Sequence, residues 1–287
     1  MKTNINSNQI FFVSKILQRL NHEQENIIQQ WKTPSITSTR HFFLDNLLPQ
    51  EDVKKIYNAF PKNADGFFDR ESFREKKKTS ANLSEYDDIL SDITYAFQDP
   101  EIVKKISNLC GIEQIEPDPK LYAAGLSMMY KGDYLNPHID NSHDIKRKKY
   151  RRLNILYYVS PDWLKENGGN FELWSNDLKL NHTIISHQNR LVVMETTKHS
   201  WHSVSKVVVN SPRCCISNYY FSKMSPDGNE YFHVTSFLGR PNQPIRKIIG
   251  IVDNAMRNLI SKLLKVGRGK KLVNNDNEKQ KEKFQNK

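Results

Sequence analysis

Three side chains of the 287-residue sequence could share one metal ion: His138, Asp140 and His202. Only Ile139 separates His138 from Asp140. On an extended chain, residues i and i+2 point to the same face, so one strand would bring an imidazole nitrogen and a carboxylate oxygen to the same point. His202 lies 64 positions further on and must arrive from another strand. Two imidazoles and one carboxylate form the facial triad of non-haem Fe(II) oxygenases, which leaves coordination positions for a chelating co-substrate and for dioxygen. A His-x-Asp pair alone also fits a surface turn, so the later residues carry weight. Arg213 opens the run Arg213-Cys214-Cys215-Ile216-Ser217-Asn218-Tyr219-Tyr220-Phe221, which is strand-like in its β-branched and aromatic content. Arg213, Cys215, Ser217 and Tyr219 would share a face. A buried arginine needs an anion, and its planar fork suits a carboxylate; an ion pair with a protein acid is the plainer reading. His199 competes with His202 as the distal ligand. His143, His182 and His187 have no partner at ligand spacing and read as loop or packing residues.

These residues need a folded sheet to meet. Residues 121–134 are strand-like and lead into the metal motif, and strands and turns alternate over 153–222, with Gly168-Gly169 and Asn176-Asp177 marking turns. Many short strands with long-range pairing suit a double-sheet jelly roll. Residues 1–40 form an N-terminal helical extension, with an apolar stripe of Ile10, Phe11, Val13, Ile16, Leu17 and Leu20. Residues 41–49 read as a first strand and turn, and 50–60 as a helix with Val53, Ile56, Tyr57 and Phe60 on one face. Residues 65–82 are polar and irregular, a lid over the site or a solvated loop. Two helices at 86–97 and 100–109 are separated by Asp99-Pro100, a stop followed by a proline start. The loop 141–150 carries Lys146-Arg147-Lys148-Lys149 and continues into Arg151-Arg152. It reads as a solvated hairpin tip or as an attractor for an acidic substrate. After an irregular stretch to 239, residues 240–266 form a basic amphipathic helix, which could dock on its own domain or lie on an acidic membrane surface. The tail 267–287 is charged and polar and reads as disordered.

Several motifs in this order resemble the catalytic core of the Fe(II)- and 2-oxoglutarate-dependent dioxygenases, in the prolyl 4-hydroxylase-like branch. Tyr130-Lys131-Gly132-Asp133-Tyr134 resembles the lead-in to the metal motif, residues 151–159 the next strand, Gly168-Gly169-Asn170-Phe171-Glu172-Leu173 a hairpin strand, and 189–193 the strand before the distal histidine. The resemblance implies an α+β fold: a double-stranded β-helix core over about 121–222, within a dioxygenase domain at 41–239, with N-terminal helices packed on one sheet. It implies His138, Asp140 and His202 as iron ligands, and the valine after His202-Ser203 favours His202 over His199. Arg213 and Tyr158 would hold the far carboxylate of 2-oxoglutarate, with Asn154 and Tyr130 beside it. A one-residue slip of register would put Tyr157 in place of Tyr158. The cofactors implied are Fe(II), 2-oxoglutarate and dioxygen, with ascorbate as a family habit. The activity implied is hydroxylation of a protein or peptide side chain, or of a small molecule, with 2-oxoglutarate decarboxylated to succinate. The carboxylate at Asp140 favours hydroxylation over halogenation, since related halogenases leave that place to chloride.

Composition bounds the rivals. No apolar run is long enough for a transmembrane helix, and no secretory signal is present. Three cysteines fit reduced thiols and a cytoplasmic protein. The formal net charge is +11, but from Arg240 onward there are 13 Lys/Arg against 4 Asp/Glu. The catalytic region is therefore near neutral, which argues against a nucleic-acid reader. Two alternatives remain: a cupin-like metal enzyme without 2-oxoglutarate, which gives Arg213 and Tyr158 no reason, and a non-catalytic module whose basic tail grips nucleic acid or membrane.

Overall fold

The computed structural model describes residues 7–33, 36–122 and 124–264, so the tail expected at 267–287 lies outside it. The N-terminal half holds α1 (Ser7–His22), α2 (Gln24–Lys32), β1 (His41–Leu44), α3 (Gln50–Ala59), β2 (Phe68–Glu71), β3 (Glu75–Ser80), α4 (Asp88–Ala96) and α5 (Pro100–Cys110). Then come β4 (Glu116–Pro117), β5 (Gly125–Met129), β6 (Tyr134–Ile139), β7 (Tyr150–Tyr158), β8 (Phe171–Trp174), β9 (Asn181–Ile184) and β10 (Arg190–Glu195). Last are β11 (His202–Val204), β12 (Arg213–Ser222), β13 (Ser236–Phe237) and α6 (Pro244–Leu264). Local chemistry sets the helix ends. The Asp87 and Asp99 carboxylates accept from the amides of Ile89 and Glu101, Pro100 sits in the first turn of α5, and Gly111 closes it with φ 60°.

The strands form one antiparallel sheet that curls on itself. One wall is β1, β10, β7, β12 and β5, and the other is β6, β11, β8 and β9. β3 pairs with both β5 and β6 and joins the walls. This is the expected jelly-roll core. Alternation along the strands separates two environments. Leu153, Ile155 and Tyr157 of β7, and Cys214, Ile216 and Tyr220 of β12, belong to the large core under the helices. Asn154 and Leu156, and Arg213, Cys215, Ser217 and Tyr219, line a cavity inside the roll.

Three elements differ from the sequence expectation. On α1 the buried stripe is Phe12, Ile16 and Leu20, spaced by one turn, while Ile10 and Phe11 are 58% and 39% exposed. With Ile27 and Trp31 of α2, these residues enter the same core as α4, α5 and β7, so the N-terminal helices pack on the sheet as expected. Within residues 65–82, the hairpin β2–β3 replaces the expected irregular segment; its backbone is paired into the sheet. Finally, α6 docks by its polar side. The Asn254 side chain accepts from the Phe237 amide at 3.0 Å and donates to the Phe237 carbonyl at 2.8 Å, and Asp253 pairs with Arg74. A Cβ on Gly250 would lie 2.6 Å from the Phe237 carbonyl oxygen, so only glycine allows this approach. The apolar side of the helix is exposed.

Candidate active site

Strand pairing brings the first two imidazoles together. His202 of β11 is the direct cross-strand partner of His138 of β6, and the ring centroids are 4.0 Å apart. Asp140 follows β6 on the same face. Its two carboxylate oxygens lie 3.7 Å from Nε2 of His138 and 3.7 Å from Nε2 of His202. One ligand atom from each residue lies within 4.8 Å of the others, a spacing a single ion can bridge. All three side chains are buried. His199 is exposed and takes no part.

The hydrogen bonds around the imidazoles prepare them for a metal. Nδ1 of His138 donates to the Asn136 carbonyl at 3.1 Å, and Nδ1 of His202 donates to the Ser200 carbonyl at 2.9 Å. The proton is thereby placed on Nδ1, and Nε2 turns its lone pair inward. Burial pushes the pKa of His138 well below its ordinary value and that of His202 down as well, so both rings stay neutral. Burial works the other way on Asp140. Positive charge, led by the Arg151 guanidinium, outweighs it and holds the carboxyl down to about 2. Two neutral imidazoles and one carboxylate are the donor set that suits Fe(II).

Arg213, the first residue of β12, is 3% exposed and stands on the cavity wall. Its Nε donates to Ser186 Oγ at 3.2 Å, Nη1 points to Met129 Sδ at 3.4 Å, and the guanidinium lies 4.6 Å from the Tyr158 ring centroid. Among the described residues no carboxylate pairs with it. A buried guanidinium without an anion is costly, and a ligand carboxylate would supply one. The Asn154 side-chain oxygen is also buried without a partner, and the Tyr158 hydroxyl lies beside Arg213 and Ser186. These orphaned groups fit a dicarboxylate such as 2-oxoglutarate. Tyr157 is excluded from the role, because its hydroxyl donates to Asn189 Oδ1 at 2.9 Å on the helix side of the sheet. Tyr130 is not brought to the site. It packs against the helix-side core and its hydroxyl donates to the Lys62 carbonyl.

Gly169 explains part of the Gly168-Gly169 motif. Its φ is +63°, and a Cβ there would lie 3.0 Å from Arg213 Cδ. The glycine leaves the space in which the arginine side chain lies.

Arg151 was hidden in the sequence. It is almost fully buried, with Nη1 3.4 Å from Asp140 Oδ2 and its guanidinium 3.8 Å from the Tyr219 ring centroid. Its Nε and Nη2 have no partner, and it lines the cavity. Strict alternation would put Arg151 with Leu153 on the helix side. A bulge intervenes: Tyr220 pairs with Leu153, but Phe221 pairs with Arg151, so Arg152 is skipped and the next side chain is re-aimed. Phe237 was also missed. It stacks on His138 at 5.0 Å, with 14° between the rings.

Residues 124–221 match the family model of the 2OG-Fe(II) oxygenase superfamily, and this span holds His138, Asp140, His202 and Arg213. The chain carries a 2OG-Fe(II) oxygenase domain. No curated protein matched the chain. Among solved structures, this oxygenase resembles a Pseudomonas putida prolyl-4-hydroxylase at TM-score 0.51 and 13% identity, over 69% of this chain and 98% of that one. It also resembles a Trichoplax adhaerens prolyl hydroxylase, solved with a peptide fragment of the hypoxia inducible factor oxygen degradation domain, at TM-score 0.52 and 16% identity, over 72% and 92%. The oxygenase reading sets aside the cupin-like and non-catalytic alternatives, and Fe(II) and 2-oxoglutarate are its cofactors.

Proposed function

We propose that this oxygenase hydroxylates a side chain of an extended, acidic peptide segment, with proline the first candidate. The carrying observation is a buried His-Asp-His set inside a cavity whose wall holds an arginine without a carboxylate partner among the described residues. His138, Asp140 and His202 hold the iron, each imidazole fixed by its backbone carbonyl. Arg213 and Tyr158 take the far carboxylate of 2-oxoglutarate, and Ser186 keeps the guanidinium turned toward it. When bound, iron with 2-oxoglutarate and dioxygen supplies the oxidation, the co-substrate leaving as succinate and carbon dioxide while the substrate gains a hydroxyl. Burial of the site excludes water from the reacting groups.

The substrate class rests on the cavity. Its volume is about 980 Å³, at the upper end of small-ligand pockets. One rim is the β2–β3 hairpin, where Arg70, Arg74 and Lys77 are balanced by Asp69, Glu71 and Glu75, with Lys77 paired to Glu75; the other is the basic loop with Lys146, Arg147 and Lys148. Asp144, the acid of that loop, turns back to accept from the amides of Lys148 and Lys149. The basic loop on one side of the cleft suits an acidic chain lying against it. Arg151, with two unpartnered nitrogens beside Asp140, would bond a carbonyl of that chain. The neighbours named as prolyl hydroxylases support a peptide substrate. Three buried cysteines without disulfides suit the cytoplasm as the site of action.

The test has two parts. Anaerobic titration of 2-oxoglutarate into the Fe(II) protein gives a visible charge-transfer band, and its absence sinks the co-substrate assignment. Succinate release is then measured with acidic proline peptides, their basic counterparts and free amino acids. Stimulation by acidic peptides, with a mass gain of one oxygen, supports the reading. Stimulation by free amino acids alone moves the substrate to a small molecule.

A further inference from the structure

The polar side of α6 is already used. Gly250, Asp253 and Asn254 hold it against β13 and the β2–β3 hairpin. Its other half is apolar and unpartnered: Ile245, Ile248, Val252, Met256, Leu259 and Ile260 are between 51% and 73% exposed. They recur at helical spacing, so they form a continuous stripe along a 21-residue helix. Such a patch on a soluble surface marks an interaction site. The helix is not long and apolar enough to cross a membrane.

The sequence beside the stripe selects the occupant. From Lys262 to Lys271 there are five Lys/Arg and no acid, and the rest of the chain from Arg240 is also predominantly basic. A second copy packed parallel through the same face would bring two such runs toward one another, and like charges oppose that. An anionic surface gains from every one of them. We propose that α6 lies in the plane of an anionic lipid surface with its apolar face in the acyl boundary, the basic sequence at its C-terminal end adding electrostatic attraction. The polar side then stays fixed to the domain. The anchor touches the active site at two points, since Asn254 grips Phe237, which stacks on His138, and Asp253 pairs with Arg74 on the cavity rim.

The full chain is centrifuged with vesicles of phosphatidylcholine alone or mixed with phosphatidylserine. Binding to the mixed vesicles alone, weakening as salt rises, is the expected result. The double variant Ile248→Asp/Met256→Asp loses binding at an unchanged melting temperature. Lys270→Glu/Lys271→Glu weakens it while leaving the apolar face intact. No sedimentation with either vesicle at low salt overturns the proposal, as does equal binding to both. A chain that is dimeric in solution, and that the double aspartate variant makes monomeric, also overturns it by showing that a second copy covers the face. Succinate release without vesicles is followed in parallel, so a failed anchor is not confused with a failed oxygenase.

Discussion

His138 and His202 already present their nitrogens for metal through bonds to backbone carbonyls. Divalent metal should therefore bind a prepared site, and at about 100 times its dissociation constant it should stabilise the fold by about 2.7 kcal/mol. A rise in melting temperature on adding Fe(II) anaerobically, or Co(II) in air, measures this. Asp140→Ala and His202→Ala should abolish both the rise and succinate formation; a full metal-induced rise in either variant would refute the ligand set. Arg213 gives a separate readout. Arg213→Lys keeps the charge but loses the fork, so the KM for 2-oxoglutarate should increase by roughly 10- to 100-fold, the equivalent of one charged hydrogen bond, with the metal-induced stabilisation unchanged. His143 sits apart from this chemistry, against Tyr150 at 4.2 Å and Phe232 at 5.6 Å. Burial lowers its pKa from 6.5 to about 4. Between those values the unfolded chain binds the proton and the folded chain does not, so stability rises with pH and is lost as pH falls from about 6.5 toward 4. His143→Phe keeps the ring contacts and should flatten that part of the urea-midpoint profile. Other buried histidines leave a residual slope.

At the scale of elements, the Gly168-Gly169 turn links fold to site. A Cβ on Gly168 would lie 1.9 Å from the Lys206 carbonyl oxygen, whereas on Gly169 the tightest contacts are side-chain atoms of Arg213 and Val207 at 3.0 Å. Gly168→Ala should abolish folding. Gly169→Ala should fold, lose about 1–3 kcal/mol through its positive φ, and raise the KM for 2-oxoglutarate by shifting Arg213. Urea unfolding and initial rates on the two variants check this, and an unaltered KM in Gly169→Ala would show that the turn does not set the arginine. The same scale explains what the sequence revealed. His138 and Asp140 were legible from parity along one strand, whereas His202 and Arg213 lie on other strands and were joined to them by the order of the motifs that resemble the dioxygenases. The β3 strand was not legible, because Glu75-Lys76-Lys77-Lys78-Thr79-Ser80 lacks apolar alternation. Its backbone is claimed on both sides, by β2 along one edge and by β5 and β6 in turn along the other, which is a tertiary override of propensity. Arg151 was hidden by a bulge, which breaks the parity that any strand reading assumes.

In the whole molecule, the helices are part of the oxygenase rather than an addition to it. Phe12, Ile16 and Leu20 of α1 share one core with Ile93 of α4, Ile106 of α5 and Ile155 of β7. On the other face of β7 lies the cavity, so the strand that presents Asn154 and Tyr158 is backed by residues more than a hundred positions away in sequence. Ile16 is completely buried. Ile16→Ala should therefore cost about 2–5 kcal/mol, as truncation in a packed core does. If the N-terminal helices were an independent unit, that loss would appear only in their own transition, and the metal site would melt as before. Because the core is shared, helix content by circular dichroism and the absorbance of Co(II) bound at the triad should fall at the same, lowered urea midpoint. The native variant should bind Co(II) normally, since no atom near His138 or His202 has changed. A Co(II) signal that keeps its original midpoint while helix content melts earlier would show that the roll stands without its helices.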